Sequence, residues 1–98
     1  MLKDLDGNPI RVVFDFGVFE IVEELTGVNL FAGGDGSVKT MKAVIYACLT
    51  RGGSNIDQEW VSKLKPGEIG EINDLIDNEE KKFFDDIKAE GKNLKRRK

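Results

Sequence analysis

Histidine is absent from this chain, and its 98 residues include one cysteine, Cys48, and two prolines. The absence of histidine removes the commonest general base and the commonest metal ligand of proteins. A lone cysteine forms neither an internal disulfide nor a thiolate cage, and this fits a reducing cytoplasm. Cys48 falls among aliphatic neighbours with no basic partner, so we interpret it as a buried structural residue rather than a catalytic thiol.

Long apolar runs are also missing, since none approaches the roughly 20 residues that span a bilayer. The first ten residues, MLKDLDGNPI, lack the apolar stretch of a secretion signal. We therefore expect a cytoplasmic protein that does not enter a membrane. The formal net charge of -3 argues against nucleic acid as the main ligand, because binding to nucleic acid depends largely on neutralising phosphates.

The remaining composition is that of a small globular protein, with 40% hydrophobic and 34% charged residues. A domain of this length buries about two-thirds of its unfolded surface or slightly less, so its core is thin. We predict one helical domain over residues 1–91, followed by a basic, disordered tail over residues 92–98. The tail carries Lys92 and the run Lys95–Lys98 without interleaved aromatic residues, so we interpret it as a solubilising segment.

The hydrophobic pattern predicts a mainly α fold of about four helices with an N-terminal β-hairpin. The hairpin covers residues 1–14, with its turn at Asp6–Asn8 and its second arm at Ile10–Phe14. Asp15 suits the start of the first helix, where its carboxylate can accept unpaired N–H groups, and Gly27 suits the left-handed position at the end. Apolar residues between them recur at spacings of three and four: Val18, Phe19, Val22 and Leu25.

Three more helices are predicted after the first. Ser37 or Thr40 is expected to cap the second helix, and Asp57 is expected to cap a short third helix. Pro66 suits the first turn of the fourth, which we interpret either as one long helix or as two helices that meet near Asp77-Asn78. The second helix has the strongest apolar stripe, so we expect it at the centre of the core. That stripe consists of Met41, Val44, Ile45, Cys48 and Leu49.

The glycine-rich run Gly33–Ser37 lies between the first two predicted helices and invites comparison with phosphate and calcium loops. It lacks the Gly-Lys-Ser/Thr ending of a phosphate loop, and Asp35 would repel phosphate. A calcium loop that begins at Asp35 would need a glutamate at position 46, where the chain has Tyr46. We therefore predict a mobile linker here, and no cofactor or metal site in the chain.

Acidic pairs such as Asp85-Asp86 and Glu79-Glu80 are neighbours on a predicted helix surface. Paired carboxylates act as acid and base only when their surroundings separate their pKa values, and nothing beside these pairs predicts burial. We therefore expect no enzymatic activity.

The aromatic residues point instead to a protein-binding surface. Phe83 and Phe84 project about 100° apart on one helix, so both are buried only if the helix is covered over a wide arc. We interpret this pair either as an interface anchor or as ordinary core. Trp60 has two interpretations: it is either a platform on which nucleic-acid bases stack or a core residue, and we prefer the second. The predicted protein-binding residues are Met41, Tyr46, Trp60, Phe83 and Phe84.

The order of three motifs carries a family resemblance. A helix ends in Val22–Leu30, which reads VEELTGVNL, and after the glycine-rich joint comes Ala43–Leu49, which reads AVIYACL. A short spacer then leads to Ile56–Val61, which reads IDQEWV. This arrangement, over about residues 5–65, resembles the tail assembly chaperones of long-tailed bacteriophages and prophages.

The resemblance implies a small, mainly α-helical protein that is not an enzyme. Members of that family bind the tape measure protein and keep it soluble until the tail tube protein polymerises around it, and they are usually absent from the finished virion. Because the core is thin, we further expect that stability depends either on a partner or on self-association as a homo-oligomer. Two other hypotheses remain: a structural part of the particle, such as a head–tail connector or minor tail protein, and a small nucleic-acid-binding regulator that works through the basic tail.

Overall fold

The computed structural model describes residues 2–29 and 37–96, and it describes side chains as far as Lys88. The prediction of a mainly α fold is confirmed. The described chain forms four α-helices: α1 (Phe16–Thr26), α2 (Val38–Arg51), α3 (Gln58–Ser62) and α4 (Pro66–Arg96).

The predicted N-terminal β-hairpin is wrong. The described residues contain one isolated antiparallel bridge, between Lys3 and Pro9, and no strand. The second arm does not pair with the first because its backbone groups have partners near the end of α2. The N–H of Val13 donates to the carbonyl oxygen of Cys48 at 3.1 Å. The N–H of Arg11 donates to Ser54 Oγ at 2.9 Å, and the Ser54 hydroxyl donates back to the Arg11 carbonyl oxygen at 3.1 Å.

The predicted helix boundaries depend on local chemistry and are largely confirmed. Of the two candidate caps for α2, Ser37 is the one used, since its hydroxyl accepts the N–H of Thr40 at 3.2 Å. Asp57 caps α3 by accepting the N–H of Trp60 at 2.7 Å. Gly27 ends α1 with a φ of 74°, in the left-handed region that glycine adopts without steric cost.

The two remaining boundary predictions concern α4 and α1. Pro66 begins α4, and this helix continues unbroken through Asp77-Asn78, so the alternative of two helices is excluded. Asp15 holds the N-cap position of α1, but its carboxylate makes no capping hydrogen bond. The predicted position is therefore confirmed, but the hydrogen-bond partner of the carboxylate is Arg51; the N–H groups of Gly17 and Val18 contribute only to lowering its pKa.

The core lies around α2, which contacts α1, α3 and α4. The buried apolar residues come from all four helices and from the segment before α1. They are Leu2, Phe14, Val18, Phe19, Val22, Ala43, Ile45, Ala47, Cys48, Leu49, Val61, Ile72 and Ile76. The prediction that the second helix is central is thus confirmed by its six buried residues, the largest number that any helix contributes among the described side chains. Two members of its predicted stripe are not buried, since Met41 is 44% exposed and Val44 is half-buried.

The long helix α4 gives the molecule its elongated shape. Its 31 residues span about 46 Å at 1.5 Å per residue, close to the longest dimension of the protein, 50 Å. Ile72 and Ile76 are buried, whereas all five residues from Phe84 to Lys88 are exposed. The predictions of one domain over residues 1–91 and of a disordered tail over residues 92–98 stay predictions.

Candidate protein-binding surface

An apolar groove opens where the end of α1, one face of α2 and the short helix α3 come together. Its volume is about 330 Å³. The groove is lined by Leu25, Thr26, Val38, Lys39, Lys42, Ala43, Tyr46, Gln58 and Val61. Ala43 and Val61 form a buried floor, while Val38, at 69% exposure, stands at the open side.

Two lysines are the charged residues among the described residues that line this groove. Lys39 and Lys42 are three residues apart on α2, a spacing that places both side chains on the same face of the helix. Both are exposed, and within the described residues neither one forms an ion pair. The apolar walls therefore carry a positively charged edge that is open to solvent.

A second apolar surface is the phenylalanine cluster, which consists of Phe14, Phe16, Phe19, Phe83 and Phe84. Phe83 lies between the rings of the N-terminal segment and α1, with centroid distances of 5.1 Å to Phe16, 5.5 Å to Phe14 and 5.9 Å to Phe19. Several of these pairs are edge-on, as aromatic rings prefer. The cluster fastens α4 to the rest of the protein.

The outer members of this cluster are exposed to solvent. Phe16 is 56% exposed and Phe84 is 38% exposed, and Ile87 follows on α4 at 37%. Phe84 still contacts Phe83, at a centroid distance of 5.4 Å. The cluster is therefore both a packing element and an exposed apolar patch.

The five residues predicted to bind protein do not form one surface. Tyr46 lines the groove, whereas Phe83 and Phe84 belong to the phenylalanine cluster. Met41 is 44% exposed but does not line the groove, and Trp60 is half-buried against the core. Sequence reasoning missed the groove lysines and Val38. The sequence pattern gave only a weak signal for these residues. That signal is the helical spacing of positions 38, 39 and 42, which places the three side chains on one face of α2.

Asp15 and Arg51 form a two-pronged ion pair that ties the start of α1 to the end of α2. The Arg51 guanidinium donates through Nη2 to Asp15 Oδ2 at 2.8 Å and through Nε to Oδ1 at 3.0 Å. These hydrogen bonds are the largest cause that lowers the pKa of the Asp15 carboxyl, and the same bonds raise the pKa of Arg51. The pair is partly exposed, so we expect its contribution to stability to be modest.

Cys48 is fully buried in α2, as the sequence predicted. Burial raises the pKa of its thiol to about 12, with smaller contributions from the charges of Glu80 and Asp15. A thiol with so high a pKa is almost entirely protonated near neutral pH, and the thiolate is the reactive form. The interpretation of Cys48 as a structural residue agrees with this environment.

A second cleft, of about 450 Å³, is lined mainly by polar residues and lies beside the N-terminal turn. Its carboxylate, Asp4, accepts the N–H groups of Asp6, Asn8 and Asn55 at 2.9–3.0 Å. The hydrogen bond from Asn55 is the largest cause that lowers the pKa of Asp4. The side chain is thus committed to holding the turn against the segment after α2.

The other predicted features give no site. Residues 33–36 of the glycine-rich run lie outside the described residues, and so do the side chains of the basic tail. In residues 2–29 and 37–88, no group of three or more His, Cys, Asp or Glu side chains is placed to hold a metal ion. None of the described helices is both long and apolar enough to cross a membrane.

Comparisons of the chain with models of protein families, with curated proteins and with solved structures found no match. The resemblance to tail assembly chaperones therefore rests on the three sequence motifs between residues 22 and 61.

Proposed function

We propose that this chain is a tail assembly chaperone of a long-tailed bacteriophage or prophage. In this proposal it works in the cytoplasm of the bacterial host, binds the tape measure protein, hands it over to the tail tube protein and is absent from the mature virion. The observation that carries the proposal is the open apolar groove between α1, α2 and α3. Grooves of this kind accept the apolar face of an amphipathic helix.

Two further features support the proposal. Eight large hydrophobic residues of the described chain are exposed, among them Phe16, Val38 and Met41, and such surface is available to a client polypeptide. The tape measure protein is expected to be a long helical chain with an apolar stripe, so a mainly helical protein with an apolar groove is a suitable carrier.

Co-expression with the tape measure protein of the same genome tests the proposal. We expect the tape measure protein to be insoluble alone and to co-purify with this chain when the two are made together. Val38→Gln makes the open side of the groove polar at a residue that is 69% exposed, so it should reduce co-purification without unfolding the protein. Leu5→Gln is the matched control, since Leu5 is 56% exposed and lies outside the groove.

Two results would contradict the proposal. In the first, the tape measure protein remains insoluble in the presence of the wild-type chain. In the second, mass spectrometry finds the chain in purified particles at a fixed copy number, which would favour a structural component such as a connector or minor tail protein.

A further inference from the structure

We infer that the groove selects an amphipathic helix of another polypeptide whose apolar stripe is flanked by carboxylates. The inference rests on the proposed function for the existence of a polypeptide client, and it adds the chemistry of the segment that is bound. Three features of the structure lead to it: the size of the groove, the charge of its edge and the use that α4 makes of its own apolar stripe.

The size of the groove limits what enters it. A volume of about 330 Å³ is near the lower end of ligand-binding clefts, which measure roughly 300–1,000 Å³. A whole helix is about 10–12 Å across and does not fit inside. A few apolar side chains from one face of a helix do fit, and they would contact Leu25, Ala43 and Val61.

The charge of the edge selects among such helices. Among the described residues, the nine that line the groove include Lys39 and Lys42 and no carboxylate, although acidic residues outnumber basic ones in the chain, 18 to 15. Glu59, which follows the lining residue Gln58 in sequence, is paired with Lys63 at 3.2 Å. Carboxylates beside the apolar stripe of a client would therefore meet two lysines that have no ion-pair partner within the described residues.

A second copy of this chain is a poor occupant, although α4 is rich in acidic residues. The buried part of the apolar stripe of α4 is already used within the molecule. Ile72 and Ile76 are buried in the core, and Phe83 packs between Phe14 and Phe16. To dock through these residues, α4 would have to leave its own core, so we assign the groove to a different polypeptide. Phe84 and Ile87 stay exposed on α4, and the sedimentation experiment below tests whether a second copy docks through them.

Peptide binding to the full-length chain tests the selectivity. The probe is a synthetic helical peptide of about 18 residues with leucine at positions i, i+3, i+4 and i+7 and glutamate on both sides of that stripe. The comparison peptide has lysine in place of every glutamate. Calorimetry should show that the glutamate peptide binds at least about tenfold more tightly than the lysine peptide at low salt.

A charge exchange in the protein provides the sharper test. The double variant Lys39→Glu, Lys42→Glu should bind the glutamate peptide about tenfold more weakly than the wild type does, and it should bind the lysine peptide more tightly. Lys81→Glu with Lys88→Glu is the matched control, because it makes the same change of charge at exposed residues of α4 that do not line the groove. Equal effects of the two double variants would overturn the inference, since they would show that net charge alone is responsible.

Three other outcomes separate this inference from its alternatives and from the proposed function. A dimer in sedimentation that dissociates in the Lys39→Glu, Lys42→Glu variant would place a second copy in the groove and overturn the inference. If that variant still co-purifies with the tape measure protein as well as the wild type does, the inference fails while the proposed function stands. If the glutamate peptide binds selectively but the tape measure protein does not co-purify, the groove chemistry is supported and the proposed client is wrong.

Discussion

Arg51 and Asp15 are the residues whose interaction the structure defines most sharply. Two donors of one guanidinium meet two oxygens of one carboxylate, with distances of 2.8 and 3.0 Å. Such a fork is the strongest geometry available to an ion pair near a surface.

The pH dependence of this pair is predictable in sign. Arg51 lowers the pKa of Asp15 in the folded state. The pair therefore stabilises the protein fully above the unfolded carboxyl pKa of about 3.9, and this contribution is lost as pH falls through the lower pKa of the folded state. Asp15→Asn keeps a good N-cap residue and should lower the Tm by about 2–4 °C at pH 7. The difference from wild type should vanish in acid.

Arg51→Gln and the double variant complete the test. Arg51→Gln should cause a similar loss at pH 7, and adding it to Asp15→Asn should cause little further loss because the interaction is already gone. Additive losses in thermal unfolding would show that the two side chains stabilise the protein independently.

The residues at which helices begin and end could be predicted from the sequence, whereas contacts between distant segments could not. The caps Asp57 and Gly27 and the start at Pro66 depend on residues a few positions away, so their chemistry is visible in the sequence. The hydrogen-bond partner of Val13 could not be predicted in this way. The N–H of Val13 donates to the carbonyl oxygen of Cys48, which lies on α2, and not to the first arm of the expected hairpin. The groove is hidden for the same reason, since its lining comes from three helices.

At the scale of whole elements, one glycine controls how the N-terminal segment lies on the end of α2. A Cβ atom built at Gly52 would collide with the carbonyl oxygen of Arg11 and come within 2.7 Å of its carbonyl carbon. These are backbone atoms, so no side-chain rotation relieves the collision. The segment lies this close because Val13 and Arg11 form hydrogen bonds with Cys48 and Ser54.

Gly52→Ala should therefore destabilise the protein by about 1–3 kcal/mol. Gly70→Ala is the matched control, because Gly70 is an exposed residue of α4 and a Cβ there meets nothing within 4 Å. Alanine favours a helix, so this change should stabilise the protein by about 0.5–1 kcal/mol. Urea unfolding measures both values. A neutral Gly52→Ala would mean that the N-terminal segment does not lie on the end of α2 in solution.

The phenylalanine cluster divides into a packing part and an exposed part. Phe83→Ala removes a ring that contacts Phe14, Phe16 and Phe19, and it should cost about 2–4 kcal/mol. Phe84→Ala removes a ring that is 38% exposed and should cost about 1 kcal/mol. Equal losses in urea unfolding would show that Phe84 is as much a part of the core as Phe83.

This difference decides how the two aromatic residues can be tested as an interface. The sequence alone left open whether the pair is core or interface, because both rings follow one another on the same helix. The structure separates them by their neighbours. Phe84→Ala therefore tests partner binding in a protein that stays folded, whereas a loss of binding in Phe83→Ala would be confounded by unfolding.

At the scale of the whole molecule, α4 continues to Arg96, and among the side chains that the structure describes, as far as Lys88, the core has no member beyond Phe83. Because residues 84–88 are already exposed, we expect that removing residues 89–98 leaves the Tm within about 4 °C of wild type, a loss of less than roughly 1 kcal/mol. Removing residues 79–98 also takes away Phe83, exposes Phe14 and Phe19, and should lower the Tm by much more. Circular dichroism melts of the two truncated chains make the comparison. A large loss on removing residues 89–98 would show that the end of α4 packs against the protein or against a second copy.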